Sequence, residues 1–389
     1  MNVLIKSTVV IDPKSDFHNK KVDILVEKGI ISNIATRIAN PNKYREINLE
    51  NLHISQGWFD SSVSFGEPGY EERETIDNGL ETAAKSGFTD VAVNANTNPP
   101  ISTNTDVSFL KSKANNHAVN LVPIGALTKQ SEGKHLAELY DMHNAGAVAF
   151  ADYQKPISNP NLMKIALQYA SNFNGLVCSF PQDNAIAGQG VMNENITSTI
   201  AGLKGLPSLA EELQIERDLF LLDYTGGKLH IPTISTAKSV ALIRSAKTKI
   251  LDVTCSVAIH NLIFTDENLS DFDTKFKVLP PLRTQKDIDA LIDGLKDGTI
   301  DMVTSDHNPL NIELKKIEFD FASFGTIGLE SAFGALHSIF TLKKTIQLLT
   351  KGKDRFGVKA IPIAIGNKLD ITLFNPDTKF NFSTMDILS

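Results

Sequence analysis

Hydrophobic and polar positions change their period once along this chain. Over the first fifty residues, short apolar runs (Val3-Leu4-Ile5, Val9-Val10-Ile11, Val22 to Val26, Ile30 to Ile34) are punctuated by Asp12-Pro13 and Lys28-Gly29. Runs of that length bounded by turn residues predict a small antiparallel β-domain. From Ile54 strand-like and helical patterns alternate. A strand ending at Phe59-Asp60 is followed by Ile76, Leu80, Ala83 and Gly87 at helical spacing, then by Val91-Ala92-Val93. The step recurs, with predicted strands at 119–126, 147–151, 176–179, 229–235, 253–257 and 300–304 and helices at 209–224, 237–247 and 285–296. Eight strands in this order predict a parallel (β/α)8 TIM barrel. An apolar helical stretch at 328–349 follows a long loop, and the alternating tail 368–376 reads as a strand returning to the N-terminal sheet. The expected domains are a barrel over 54–364 and a small composite β-domain, sandwich-like, from 1–53 and 365–389.

Composition narrows the function classes. A chain of 389 residues, 42% hydrophobic and 21% charged, suits one large barrel with an accessory domain. Its net charge of −7 comes with no basic run, which argues against nucleic acid. No apolar run reaches the roughly 20 residues of a membrane span, and Met1 to Lys6 lack a signal-peptide layout. Cys178 and Cys255 are too few for a disulfide framework. The expectation is a cytoplasmic protein.

Barrels of this kind carry their reactive groups at the C-terminal ends of the strands. Those positions read "DSSVS" (Asp60–Ser64), Asn94–Asn98, Phe150–Tyr153, Cys178–Pro181, Ile231–Ile234, Ser256–His260 and Ser305–His307. Seven runs in order, "EPGYEERETI" from Glu67, "NTNPP" from Asn96, "GQGVMNE" from Gly188, "STAKSVALIRSAK" from Ser235, "PPLRT" from Pro280, "DGTIDMVTSDHNP" from Asp297 and "FGTIGLE" from Phe324, resemble the dihydroorotases of the cyclic amidohydrolase superfamily. The resemblance spans nearly the whole chain. It implies the metallo-dependent amidohydrolase type of barrel, a place in pyrimidine biosynthesis, and zinc as the cofactor of active members.

Carried over position by position, the resemblance also implies that the metal ligands are gone. The family's paired histidines on the first strand fall at Ser62 and Ser64, its bridging carboxylate or carboxylated lysine at Tyr153, and its later histidines at Ser179 and Thr233. Asp306 alone matches. In the substrate pocket, the carboxylate-gripping arginine becomes Gly66, an asparagine becomes Leu279 and a histidine becomes Leu310, while Asn96 and Arg283 are kept.

Hydroxyls are poor zinc ligands, so no metal is expected here and Asp306 reads as vestigial. Lys155, His260 and His307 are the residues that could rebuild a site, although local hydrogen bonding is the plainer reading of both histidines. His230 is expected to cap or pack.

Three functions follow. The first is a catalytically inactive relative acting as a structural or regulatory partner of aspartate transcarbamoylase, as the resemblance implies for ligand-depleted members, in a homodimer or hetero-oligomer. The second is an active dihydroorotase or other cyclic amidohydrolase with a rearranged site. The third is a small-ligand-binding protein. The resemblance also implies further strands beyond the tail, so the small domain is expected to be reduced or to offer an edge to a partner.

Overall fold

The computed structural model describes residues 2–379 and 381–389. Strands β1 (Val3–Ile11), β2 (Lys21–Glu27), β3 (Ile30–Ala35), β4 (Arg45–Ile47) and β5 (His53–Gln56) build the first sheet. β1 pairs antiparallel with β2 and parallel with both β4 and β5, and β2 pairs antiparallel with β3. Val3, Ile5, Val10, Ile24, Val26 and Ile54 fill its buried face.

The barrel strands are β6 (Trp58–Val63), β7 (Phe88–Val93), β8 (Asn120–Gly125), β9 (Ala149–Phe150) and β10 (Leu176–Cys178). After a two-stranded excursion, β11 (Met192–Asn193) with β12 (Gly205–Leu206), come β13 (Lys228–Ile231), β14 (Val253–Ala258) and β15 (Met302–Thr304). These eight pair in parallel in chain order from β6 to β15. β6 is buried at every position, as a strand with one side in the barrel and the other under helices requires. The sheet closes at the mouth, where Ser64 N–H donates to His307 O at 2.7 Å and Val63 bridges His307. β16 (Ile371–Phe374) returns antiparallel to β5, the course expected of the tail.

Two expected elements differ. The strand expected over 229–235 ends at Ile231 because Pro232 has no N–H for the ladder and Thr233 turns to φ +48°. The apolar stretch 328–349 is two helices, Ala332–Ile339 and Leu342–Thr350, broken where Phe340 takes an extended conformation and Thr341 caps the second. Among the described residues no helix is long and apolar enough to cross a membrane.

Trp58, the first residue of β6, ties the two sheets together. Its indole stacks on Phe333 with centroids 5.0 Å apart, and its Nε1 donates to Ser55 Oγ at 2.9 Å. Lys353 adds a charged link, with Asp90 of β7 at 2.7 Å and Asp370 beside β16 at 2.9 Å.

Candidate functional site

Four of the six positions matched to metal ligands, Ser62, Tyr153, Thr233 and Asp306, line a small cavity of about 30 Å³ at the mouth of the barrel. That is room for a few water molecules and not for a substrate. Asp306 is 4% exposed and accepts from Tyr153 Oη at 3.2 Å and Ser62 Oγ at 3.4 Å on the same carboxylate oxygen. Asn94, at the end of β7, donates through Nδ2 to Ser62 and Ser64, both at 3.1 Å. An amide donor and hydroxyls thus occupy the space that the resemblance assigns to cations.

Asp60 fastens this arrangement from behind. Its carboxylate accepts from Thr304 Oγ1 at 2.5 Å, Ser305 N–H at 2.8 Å and Ser62 N–H at 3.1 Å, crossing between β6 and the end of β15. Burial pushes the Asp60 acid upward. Burial, with the nearby Asp60 charge adding to it, pushes Asp306 up to about 7 against the donors Tyr153 and Ser62. A carboxyl at that value is half neutral near neutral pH, whereas a metal ligand must be ionised.

Thr233 and Asp306 both sit at φ +48°. Such conformations cost about 1–3 kcal/mol each outside glycine and persist where the surroundings impose them.

The remaining matched positions lie elsewhere. Ser179 turns away from the cavity, donating to Asp218 Oδ2 at 2.6 Å beside Gln214 and Arg217. Ser64 is held by Asn94 without lining the cavity. Asn96 and Leu310 line a second, outer pocket of about 350 Å³. Tyr153 and Gln154 line both spaces. Gln154 is pinned by its Nε2 to Leu279 O at 2.9 Å.

Three residues expected in the substrate pocket are not there. Leu279 packs with Phe180, Leu206 and Ala210. Arg283 is 2% exposed in a polar network, with Nε on Ser235 Oγ at 3.0 Å and Nη1 on Asn193 Oδ1 at 2.8 Å and Leu206 O at 3.0 Å. Its charge faces Glu211 at 3.7 Å, a structural pairing in place of a substrate contact. Gly66 lies against the next loop: a Cβ built there would fall 1.8 Å from Tyr70 O.

The residues that could have rebuilt a metal site are also dispersed. His307 is wholly buried; its Nε2 meets Glu74 at 3.0 Å and its Nδ1 accepts from Gly328 N–H at 3.2 Å. Those partners place the proton on Nε2 of a ring that does not reach the cavity. His260, expected to be satisfied locally, instead has a buried Nε2 without a hydrogen-bond partner, and burial lowers its pKa to about 4. Lys155 lines the outer pocket. His230 packs as expected, on the cavity floor with Thr254 Oγ1 at 3.0 Å and Ser256 Oγ at 3.3 Å, and burial lowers it to about 3.

Zinc is what this type of barrel leads one to look for. The donors at the six positions are four aliphatic hydroxyls, one phenol held well above its ordinary pKa by burial, and one carboxyl. They do not fit a zinc pair, which takes imidazole, thiolate or ionised carboxylate. Among the described residues no group of three or more His, Cys, Asp or Glu side chains is placed to hold a metal ion.

The family model for dihydro-orotase-like proteins matches residues 53–239. A dihydroorotase of Caldanaerobacter subterraneus subsp. tengcongensis is 38% identical over 387 residues, covering 98% of this chain and 89% of that one. One from Pelotomaculum thermopropionicum is 40% identical over 384 residues, covering 97% and 90%. The chain belongs to the dihydroorotase family. Among solved structures, the L-hydantoinase (dihydropyrimidinase) of Arthrobacter aurescens superposes with a TM-score of 0.81 at 21% identity, over 95% of this chain and 86% of that one. A D-hydantoinase (dihydropyrimidinase) from Thermus sp. gives 0.82 at 18% identity, over 99% and 89%. At such identities the likeness is one of fold, and it bears out the amidohydrolase type of (β/α)8 barrel.

Asn94, Asp60 and Asp218 are what sequence reasoning passed over. The strand-end run Asn94–Asn98 drew attention to Asn96 through its family motif. Strand alternation was the available signal, since Ser62, Ser64 and Asn94 must face one way for Asn94 to bridge them.

Proposed function

We propose that this dihydroorotase-family barrel does not carry out ring-amide hydrolysis and serves pyrimidine biosynthesis as a structural or regulatory partner, with aspartate transcarbamoylase as the protein it accompanies. The observation that carries the reading is the donor set around Asp306, hydroxyls and one amide in a space of about 30 Å³. A bound metal lowers the pKa of water from 15.7 to about 7, and without it hydroxide at neutral pH is scarcer by a factor on the order of 10⁸. Asp306 acting as a general base, worth roughly 10²–10⁴-fold, does not recover that factor. The partner rests on the family resemblance.

A second reading has its own support. Relatives named dihydroorotase are 36–40% identical over most of the chain, and identity of that extent favours an active dihydroorotase or related cyclic amidohydrolase with a rearranged site. One experiment separates the two: elemental analysis of untagged protein grown with zinc, followed by dihydroorotase assay with and without chelator. The first reading expects no stoichiometric metal, no chelator-sensitive turnover, and co-migration with aspartate transcarbamoylase in sizing. About one or two zinc per chain, with turnover lost in Asp306→Ala, establishes the second.

A further inference from the structure

Two loops, one following β14 and one following β15, meet in an open groove of about 650 Å³ that shares no lining residue with either pocket described above. Three apolar side chains line it in contact with solvent: Phe272 is 47% exposed, Ile312 58% and Ile317 38%. Phe272 sits at φ +57°, a conformation that a bulky residue seldom takes, and its ring meets Phe319 edge-on. Lys315 lines the same groove, half-buried. Its Nζ donates to Thr274 O at 2.9 Å and to Lys277 O at 3.1 Å. Lys277 is 2% exposed, with its own Nζ on Phe319 O at 2.6 Å and Asp320 O at 3.1 Å, and 5.1 Å from the ring centroids of Phe319 and Phe324. Among the described residues neither lysine forms an ion pair with a carboxylate.

An ammonium has three N–H donors, whereas a neutral amine has two, and Thr274 O and Lys277 O take both. The lone pair of the amine then fills the remaining tetrahedral direction, the one left to the groove. Burial and the neighbouring Lys277 charge hold Lys315 down to about 8 from an ordinary 10.5, with Asp273 acting the other way. Asp273 is itself engaged, accepting from Lys275 N–H at 2.9 Å and facing the Lys275 ammonium at 3.8 Å. The other charges lining the groove, Lys316 and Glu318, lie on the loop of Lys315 itself. An amine that is desolvated and placed beside another cation is a nucleophile.

We propose that Lys315 is a covalent attachment site for an aldehyde with an apolar body, held as an imine with that body against Phe272, Ile312 and Ile317. The amine lone pair attacks the carbonyl carbon, and the C–N bond forms as the C=O π bond opens. The oxygen then leaves as water with both amine protons, and a C=N double bond remains. The step needs no oxidant and does not depend on whether the barrel hydrolyses a ring amide.

Reductive trapping on the full-length protein tests it, with limiting benzaldehyde, cyanoborohydride, and peptide mass spectrometry to place the label. Lys315 should be labelled about tenfold or more faster than the mean of the other lysines. Its labelling rate should rise through about pH 8. Lys315→Met should lose the fast label, and Lys277→Met, by removing the neighbouring charge, should move the pH midpoint upward. Glyceraldehyde, which has no apolar body, should show a several-fold weaker preference for Lys315. Labels spread over the lysines in proportion to their exposure, or absent from Lys315, overturn the proposal on the natural protein alone. Equal preference with the two aldehydes overturns the role given to Phe272, Ile312 and Ile317.

Discussion

At the scale of single residues, the mouth of the barrel shows how buried polar groups satisfy one another. A buried polar group left without a partner is costly, so each needs one. Asn94 supplies two donors to serines, Tyr153 supplies one to Asp306, and Ser179 leaves for Asp218. His230 makes this environment measurable. It is held neutral by burial, down to about 3 from an ordinary 6.5. A depressed folded pKa means that the unfolded chain takes up the proton first on acidification. Stability from this residue is therefore full above about 6.5 and is lost as pH falls toward about 3. Between pH 6.5 and about 5 the loss is on the order of 1.5 kcal/mol. His260 acts in the same direction, whereas Asp60 and Asp306, with raised values, act in the opposite one. The test is a difference: urea unfolding of the natural protein and His230→Gln at pH 7.5 and 5. The variant should start lower and lose less on acidification; equal losses would mean that His230 is not the titrating group.

At the scale of elements, the loop after β6 decides more than the strand does. Gly66 is followed by a turn that folds back so that Tyr70 N–H donates to Gly66 O and Glu74 O accepts from Gly66 N–H, each at 2.8 Å. Thr75 then caps the helix Ile76–Lys85, whose Gly79 accommodates the Phe65 ring. Gly66→Arg, which restores the family residue, drives a Cβ into Tyr70 O and should cost more than about 2 kcal/mol by displacing this turn. Thermal unfolding measures it, and an unchanged melting temperature would show that the loop yields freely. Much of this was legible in the sequence. The change of hydrophobic period marked the barrel, because buried parallel strands alternating with amphipathic helices leave a strong pattern. The motif runs marked the strand ends. What could not be read was side-chain direction within a loop or beyond a proline: Arg283 sits in an unchanged family run yet points into a buried network, and Pro232 with Thr233 cuts short a strand that apolar content alone extended.

At the scale of the whole molecule, the barrel and the small sheet are joined by few strong links. Lys353, 1% exposed, holds Asp90 and Asp370 together. Removing its charge leaves buried Asp90 and partly buried Asp370 facing each other, where loss of one partner of a fully buried pair would cost about 3–5 kcal/mol as an upper bound. Lys353→Met should lower the midpoint of denaturant unfolding by up to that amount. It should also bring forward hydrogen exchange in β16 and β5 relative to the barrel strands. Uniform exchange across both sheets would show that Trp58 and its aromatic neighbours suffice to couple them.

The closeness of Gly66 to Tyr70 O also bears on what the mouth of the barrel can accommodate. Rebuilding a charged site at the mouth would require more than exchanging side chains. Here Tyr70 O occupies the place where any side chain on Gly66 would begin, so an arginine introduced there meets the turn before it can meet a ligand. The loop works as a lock: a new charged group at the mouth of this barrel has to enter from a neighbouring position, because the backbone itself holds Gly66 shut.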